Sequence, residues 1–146
     1  MLKHLQREPP YSESTLSGII RSLTVPELRG VLNKIVLRMY LEDTREPVSG
    51  EVRWCLANAL TVVAELEDVD EMIELVRDPR NGAARDPFVH ALVRFLGKRP
   101  EIVEVLDSLK DDPDLHVRVQ TAQILKRKAV QKAREKLAQM SGKGRC

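Results

Sequence analysis

The chain has 146 residues, 42% of them hydrophobic but only 3% aromatic, and a formal net charge of +2. This length suits one domain, whose core Leu, Val, Ile and Ala must fill. No apolar run approaches the roughly 18 residues of a membrane span, and the N-terminus lacks the apolar segment of a secretory signal. We therefore expect a cytoplasmic protein with no membrane partner, and with Cys55 and Cys146 reduced.

Two helices are predicted first. Apolar residues recur at the spacing of one helix face over 14–23, which indicates an amphipathic helix. Thr24 and Glu27 stand at the spacing of a capping box, and the apolar pattern after them predicts a second helix to about Leu41. Residues 42–50 contain proline and glycine and predict a loop.

The next predicted helix carries Val52, Leu56, Leu60 and Val63 on one face. Residues 65–74 are strongly acidic and could bind a cation or a basic partner. Because the ligand spacing and central glycine of a calcium loop are absent, we favour a solvent-exposed corner between helices.

The second half repeats this alternation of helix and turn. Asn81-Gly82 marks the tip of a long turn. A helix is predicted over 87–96, with the glycine directly after it as its C-cap. Aspartates at 111–114 form a final tight turn, and the last helix is predicted over 115–140 because no breaker interrupts it.

Arg53, Arg85 and Arg118 stand 32 and 33 residues apart. Each follows a small or β-branched residue, and each precedes Ala or Val by four positions and Leu by seven. Those positions share one helix face, which can bury against a neighbouring unit. A period of roughly 30–50 residues with helical spacing inside each unit is typical of an α-solenoid.

The last copy carries the fullest motif, Asp112-Pro113, Val117-Arg118, Ala122 and Leu125. With these residues the chain resembles the HEAT-repeat family, whose second helix opens with an Asp-Pro turn and a Val-Arg pair followed by Ala and Leu. The resemblance covers about 47–129. The copy at Arg53 lacks Asp-Pro, and in the copy at Arg85 the Asp-Pro follows the arginine.

The resemblance implies an all-α fold, a short right-handed α-solenoid of about four helix pairs. The repeats are expected at about 14–42, 47–66, 69–97 and 100–129. They form one domain, 14–146, after an N-terminal arm over 1–13. Terminal repeats are expected to be atypical, because one side of each meets water.

The function expected of such a scaffold is non-catalytic binding of a partner protein or peptide on the solenoid surface. The candidate contacts are Arg53, Trp54, Arg85 and Arg118, because guanidiniums present planar donor forks and tryptophan is a frequent anchor. In the alternative that the family suggests, each repeat arginine pairs with an acid of the neighbouring turn and holds the repeats together. The chain could also be a subunit of a larger solenoid.

Positive charge gathers at the C-terminal end, where 126–146 carry +7 and the rest of the chain −5. The basic C-terminal helix offers an alternative site for nucleic acid or an acidic protein. Its candidate residues are Lys126, Arg127, Lys128, Lys132, Arg134 and Lys136. No aromatic follows Phe95, which argues against base stacking there.

Motifs for catalysis or metal binding are absent. The histidines at positions 4, 90 and 116 are far apart and fit no zinc template, and no phosphate-binding glycine loop or nucleophile elbow occurs. Some HEAT-like proteins resemble bilin lyases or alkylbase DNA glycosylases, and glycosylases pair aromatic side chains with an acid in a cleft. Only Trp54 and Asp86 would suit that role near repeat starts, so we expect no enzyme, no metal and no cofactor.

Overall fold

The computed structural model describes residues 12–42 and 51–143. Most of the predicted arm over 1–13, most of the predicted loop over 42–50, and Cys146 lie outside the described residues; Glu13, the last residue of the predicted arm, is already helical. The described part is all-helical and contains eight α-helices. They are α1 (Glu13–Leu23), α2 (Asn33–Glu42), α3 (Glu51–Val63), α4 (Val69–Arg77), α5 (Arg85–Val93), α6 (Ile102–Ser108), α7 (Leu115–Leu125) and α8 (Lys128–Lys143).

The link between α1 and α2 differs from the predicted capping box. Thr24 closes α1 instead of opening α2, because its hydroxyl donates to the Ile20 carbonyl over 2.7 Å. A short 3₁₀ turn, Pro26–Leu28, follows, and Gly30 adopts a left-handed φ of 73°. Together these features delay the start of α2 beyond the predicted box.

Helix α5 begins two residues before the predicted start. Pro87 lies within its first turn, where the missing N–H has no helical acceptor to lose. Asn81 is buried rather than at an exposed turn tip, since its side chain accepts from the Tyr40 hydroxyl and donates to the Leu75 carbonyl. The helix ends at Val93, ahead of the predicted glycine cap.

The single helix predicted over 115–140 is divided into α7 and α8. The Lys126 N–H donates to the carbonyls of both Gln123 and Ile124, which tightens the end of α7. The chain then turns, and α8 packs against α6 and α7. Val130 and Ala133 are buried as a result. Apolar burial thus favours a second helix folded onto the others over one long projecting helix.

The odd-numbered helices α1 to α7 pack in a row, and the even-numbered helices α2, α4 and α6 pack beside that row. Contacts run in order from α1 to α3, from α3 to α5 and from α5 to α7, while α2, α4 and α6 pack against α3, α5 and α7 respectively. The core between them is mostly aliphatic. Two of its fully buried aromatic rings, Tyr40 and Phe88, meet edge to face with centroids 5.0 Å apart, a favoured aromatic geometry.

Candidate interaction surface

Arg85, one of the three repeat arginines, is enclosed in the protein. Its side chain is 1% exposed, and its two terminal nitrogens donate to the Asp112 carboxylate over 2.6 and 2.7 Å. Its Nε donates to the Gly82 carbonyl over 3.0 Å. This bidentate pair joins the start of α5 to the turn before α7, so Arg85 is not available to a partner.

The other end of this pair is equally well held. Asp112 also accepts from the Asp114 N–H, and Asp114 in turn accepts from the Val117 N–H as the N-cap of α7. Burial opposes the ionisation of Asp112. The hydrogen bonds from Arg85 and the Asp114 N–H nevertheless outweigh burial, and they hold the pKa of Asp112 below its ordinary value.

Arg53 occupies the equivalent position one repeat earlier and is half-buried. Its guanidinium lies over the Tyr40 ring, 4.6 Å from the centroid, and one nitrogen is 3.5 Å from the Asn81 oxygen. Asn81 stands in the turn before α5, as Asp112 stands in the turn before α7. The first two arginines therefore each reach into the turn of the next unit.

Arg118 is half-buried at the start of α7. It donates to the carbonyls of Asp112 and Pro113 over 2.7 and 3.1 Å. Among the described residues it has no carboxylate partner. The three arginines thus do not form an exposed ladder. Arg85 alone makes the contact of the alternative, a pair with an acid of the neighbouring turn. Arg53 meets an amide in that turn, and Arg118 donates to carbonyls of the turn before its own helix.

Trp54, the fourth candidate contact, is 46% exposed. It follows Arg53 on α3 and lies on the opposite side from the buried Leu56 and Leu60. Asn58, one turn later, donates to the Trp54 carbonyl. The only tryptophan of the sequence therefore presents much of its ring to solvent.

A polar cluster that sequence reasoning did not assemble lies on α5 and α7. His90 Nε2 is 3.1 Å from Gln120 Oε1 and 3.3 Å from Asp86 Oδ1. The Asp86 oxygen is buried and makes no well-formed hydrogen bond. Burial raises the pKa of Asp86, against the influence of His90 and His116. The spacing of Asp86 and His90 was visible in the sequence, but the contact with Gln120 was not.

Asp86 follows Arg85 as Trp54 follows Arg53, so the two occupy equivalent positions on adjacent helices α3 and α5. We call Trp54, Asn58, Asp86, His90 and Gln120 the Trp54 surface. It combines one large exposed aromatic with hydrogen-bonding side chains.

The basic candidates divide into two groups. Arg134 pairs with Asp107 through two bonds of 2.6 and 2.7 Å, and Lys136 donates to the Gly97 carbonyl over 2.6 Å. These two hold α8 against the helices beneath it. The other four are exposed and have no carboxylate partner among the described residues; they are Lys126, Arg127, Lys128 and Lys132.

The acidic stretch 65–74 is only partly the exposed corner that the sequence predicts. Asp68 is fully buried and accepts from Asn33 over 2.8 Å, Lys34 over 3.1 Å and the Glu65 N–H over 2.8 Å. Asp70, Glu71 and Glu74 border a cleft of about 700 Å³ between α4 and α6. Arg99 crosses this cleft and pairs with both Asp70 and Glu101.

Across 12–42 and 51–143 we find no group of His, Cys, Asp and Glu side chains arranged to hold a metal ion. None of the described helices combines the length and apolarity needed to cross a bilayer. Comparison of the chain with protein-family models, curated proteins and solved structures returns no match.

Proposed function

We propose that this protein is a short HEAT-like α-solenoid that binds a partner protein or peptide without catalysis. The order of helix contacts supports the solenoid, because α1, α3, α5 and α7 form one row and α2, α4 and α6 pack beside it. The pair between Arg85 and Asp112 supports it further, since it links a repeat arginine to the next turn. The partner binds to the side of the α3–α5–α7 row on which Trp54 is exposed.

The exposure of Trp54 is the observation that carries this proposal. Other apolar side chains of α3 are largely buried, so the indole is not needed to complete the core. A large exposed aromatic can bury much area in a partner while polar side chains on its own and neighbouring helices fix orientation by hydrogen bonds. The Trp54 surface supplies both kinds of group, through the indole and through Asn58, His90 and Gln120.

The test is affinity capture from nuclease-treated native lysate with the wild-type chain and the Trp54→Ala variant as baits. We expect a protein to bind the wild type and to be lost from the variant. The matched control is Leu41→Ala, which truncates a similarly exposed apolar side chain on α2 and should retain the same protein.

The captured protein is then titrated into the wild-type chain while tryptophan emission is recorded. The emission of the captured protein alone is measured at each concentration and subtracted. Burial of Trp54 should shift its emission to shorter wavelength. If Trp54→Ala captures the same protein as the wild type, and the emission does not shift, the Trp54 surface is not the binding site.

Nucleic-acid binding is the second candidate, and it rests on the four exposed cations around the start of α8. Phosphate contacts by four cations would make affinity fall steeply with salt. A variant with Lys126, Arg127, Lys128 and Lys132 all replaced by Ala should then lose binding to a single-stranded DNA oligonucleotide, whereas Trp54→Ala should keep it. Absence of binding by the wild type at low salt would reject this candidate.

A further inference from the structure

One position on α7 is uncovered although the equivalent positions on α3 and α5 are buried. Ala57 and Val89, four residues after their repeat arginines, are fully buried, and each lies on a helix that packs against the next helix of the row. Ala122 has the same position on α7 but is exposed. At this position the row of helices ends, within the described residues, on a side chain of the kind that its internal contacts bury. Val119, on the same side of α7, stands where α3 and α5 carry the exposed Trp54 and the partly exposed Asp86.

This face carries an apolar stripe. Leu115 is 63% exposed and Val119 is 44% exposed, and with Ala122 they recur at the spacing of one side of a helix. The opposite side of α7 holds the buried Val117 and Ile124. Helix α7 thus has two apolar sides, of which only one is packed against other described residues.

Charges of opposite sign flank the stripe. Asp111, in the turn before α7, is exposed, and so are Lys126 and Arg127, just after its end. No ion pair involves any of these three within the described part of the chain. The helix dipole is positive at the end near Asp111 and negative at the end near Lys126 and Arg127, so it partly offsets this charge separation without changing which end carries the acid and which the bases.

We propose that a second copy of this chain docks on this face, with the two α7 helices antiparallel about a two-fold axis near Val119. The axis sets the apolar stripes against each other and brings Asp111 of each copy towards Arg127 of its partner. A surface that meets itself in this way is the usual basis of a symmetric dimer. A parallel arrangement would place like charges together and is disfavoured. This inference does not depend on the Trp54 surface.

The first test measures the mass of the full chain by sedimentation velocity over a range of concentrations. We expect a reversible dimer that Val119→Glu converts to monomer. The control is Val31→Glu, which introduces the same charge at a 59% exposed valine outside α7 and should leave the dimer intact. Circular dichroism verifies that both variants keep their helices.

The second test exchanges the charges. Asp111→Lys and Arg127→Asp should each raise the dimer dissociation constant on the order of tenfold, because like charges then face each other. The double variant should recover most of the loss, and rising salt should reduce all these differences. A wild type that stays monomeric at every concentration, a dimer insensitive to Val119→Glu, or a double variant no better than the singles would overturn the proposal.

Discussion

At the scale of single residues, the pair between Arg85 and Asp112 is the most deeply buried ion pair of the described residues. Both charges are withdrawn from water, and four hydrogen bonds to the two side chains replace their hydration. Neither side chain can therefore lose its partner without leaving a buried charge. The pair is also a link between distant parts of the sequence, because it joins α5 to the turn that caps α7.

We predict that Asp112→Asn lowers the free energy of unfolding by about 3–5 kcal/mol, since it leaves the Arg85 guanidinium buried without a counter-charge. Urea denaturation followed by circular dichroism measures the change. The control is Asp78→Asn, which breaks the exposed pair with Arg80 and should have little effect. Equal midpoints for Asp112→Asn and the wild type would show that the pair contributes nothing to stability.

The same pair predicts a response to acid. Because the pKa of Asp112 is depressed in the folded protein, its stabilisation is present above the ordinary carboxylate pKa and is lost as pH falls through the lower folded value. The difference in the free energy of unfolding between the wild type and Asp112→Asn should therefore become smaller in acid. A gap that is constant from pH 7 down to acid unfolding would contradict this assignment.

Asp86 predicts the opposite dependence of stability on pH. Burial raises its pKa, so its favourable contribution exists below the ordinary carboxylate pKa and is lost as pH rises through the folded value. Asp86→Asn should stabilise the protein at pH 7, by about 1 kcal/mol or less, and should make little difference near pH 4. Thermal unfolding at both pH values is the measurement. Destabilisation at pH 7 would mean that attraction to His90 outweighs burial.

At the scale of elements, the backbone of the turn before α5 requires a glycine. Gly82 has φ 53° and ψ −136°, a region that residues with a Cβ rarely enter. We predict that Gly82→Ala costs about 1–3 kcal/mol through backbone strain, as measured by urea denaturation.

A matched glycine gives the opposite expectation. Gly18 lies inside α1, and a Cβ there meets no atom within 4 Å. Gly18→Ala should therefore stabilise the protein by about 0.5–1 kcal/mol, because alanine favours helix. If both substitutions were destabilising to the same extent, backbone conformation would not be the cause at Gly82.

Helix α8 is held by a small apolar contact and by the pair of Arg134 with Asp107. We predict that Val130→Asp releases α8 from the other helices. Val130 is fully buried, and burying a carboxylate there without a partner would cost at least about 2 kcal/mol of folding free energy. Amide hydrogen exchange should then show fast exchange in α8 while α3 and α5 stay protected. Lys132→Asp, on the exposed side of α8, should leave α8 protected.

At the scale of the whole molecule, protection should follow position in the row of helices. Helix α5 packs against α3, α4, α6 and α7, and α3 packs against α1, α2 and α5, whereas α8 contacts only the helices at its end of the described chain. We predict the slowest amide exchange in wild-type α5 and α3 and faster exchange in α1 and α8, because local unfolding is easiest where few contacts are lost. Uniform protection across all eight helices would indicate a single cooperative unit instead.

The sequence by itself determined the helical content and much of the helix order. Helical spacing located α1, α3 and the start of α7, because burial of one helix face leaves a regular apolar pattern. The period of the arginines was equally visible. What those arginines contact was not, since Arg85 reaches its partner Asp112 across 27 positions of the chain and local spacing carries no record of such a contact.

Tertiary structure decided the rest. The predicted continuous helix over 115–140 is divided because burying Val130 and pairing Arg134 with Asp107 favour a turn that local propensity does not require. Thr24 caps the preceding helix instead of the following one. Its hydroxyl donates to the Ile20 carbonyl, and the chain continues into a 3₁₀ turn before α2 begins. Which residues stay exposed, above all Trp54 and the stripe on α7, depends on which helix lies beside them, and only packing settles that.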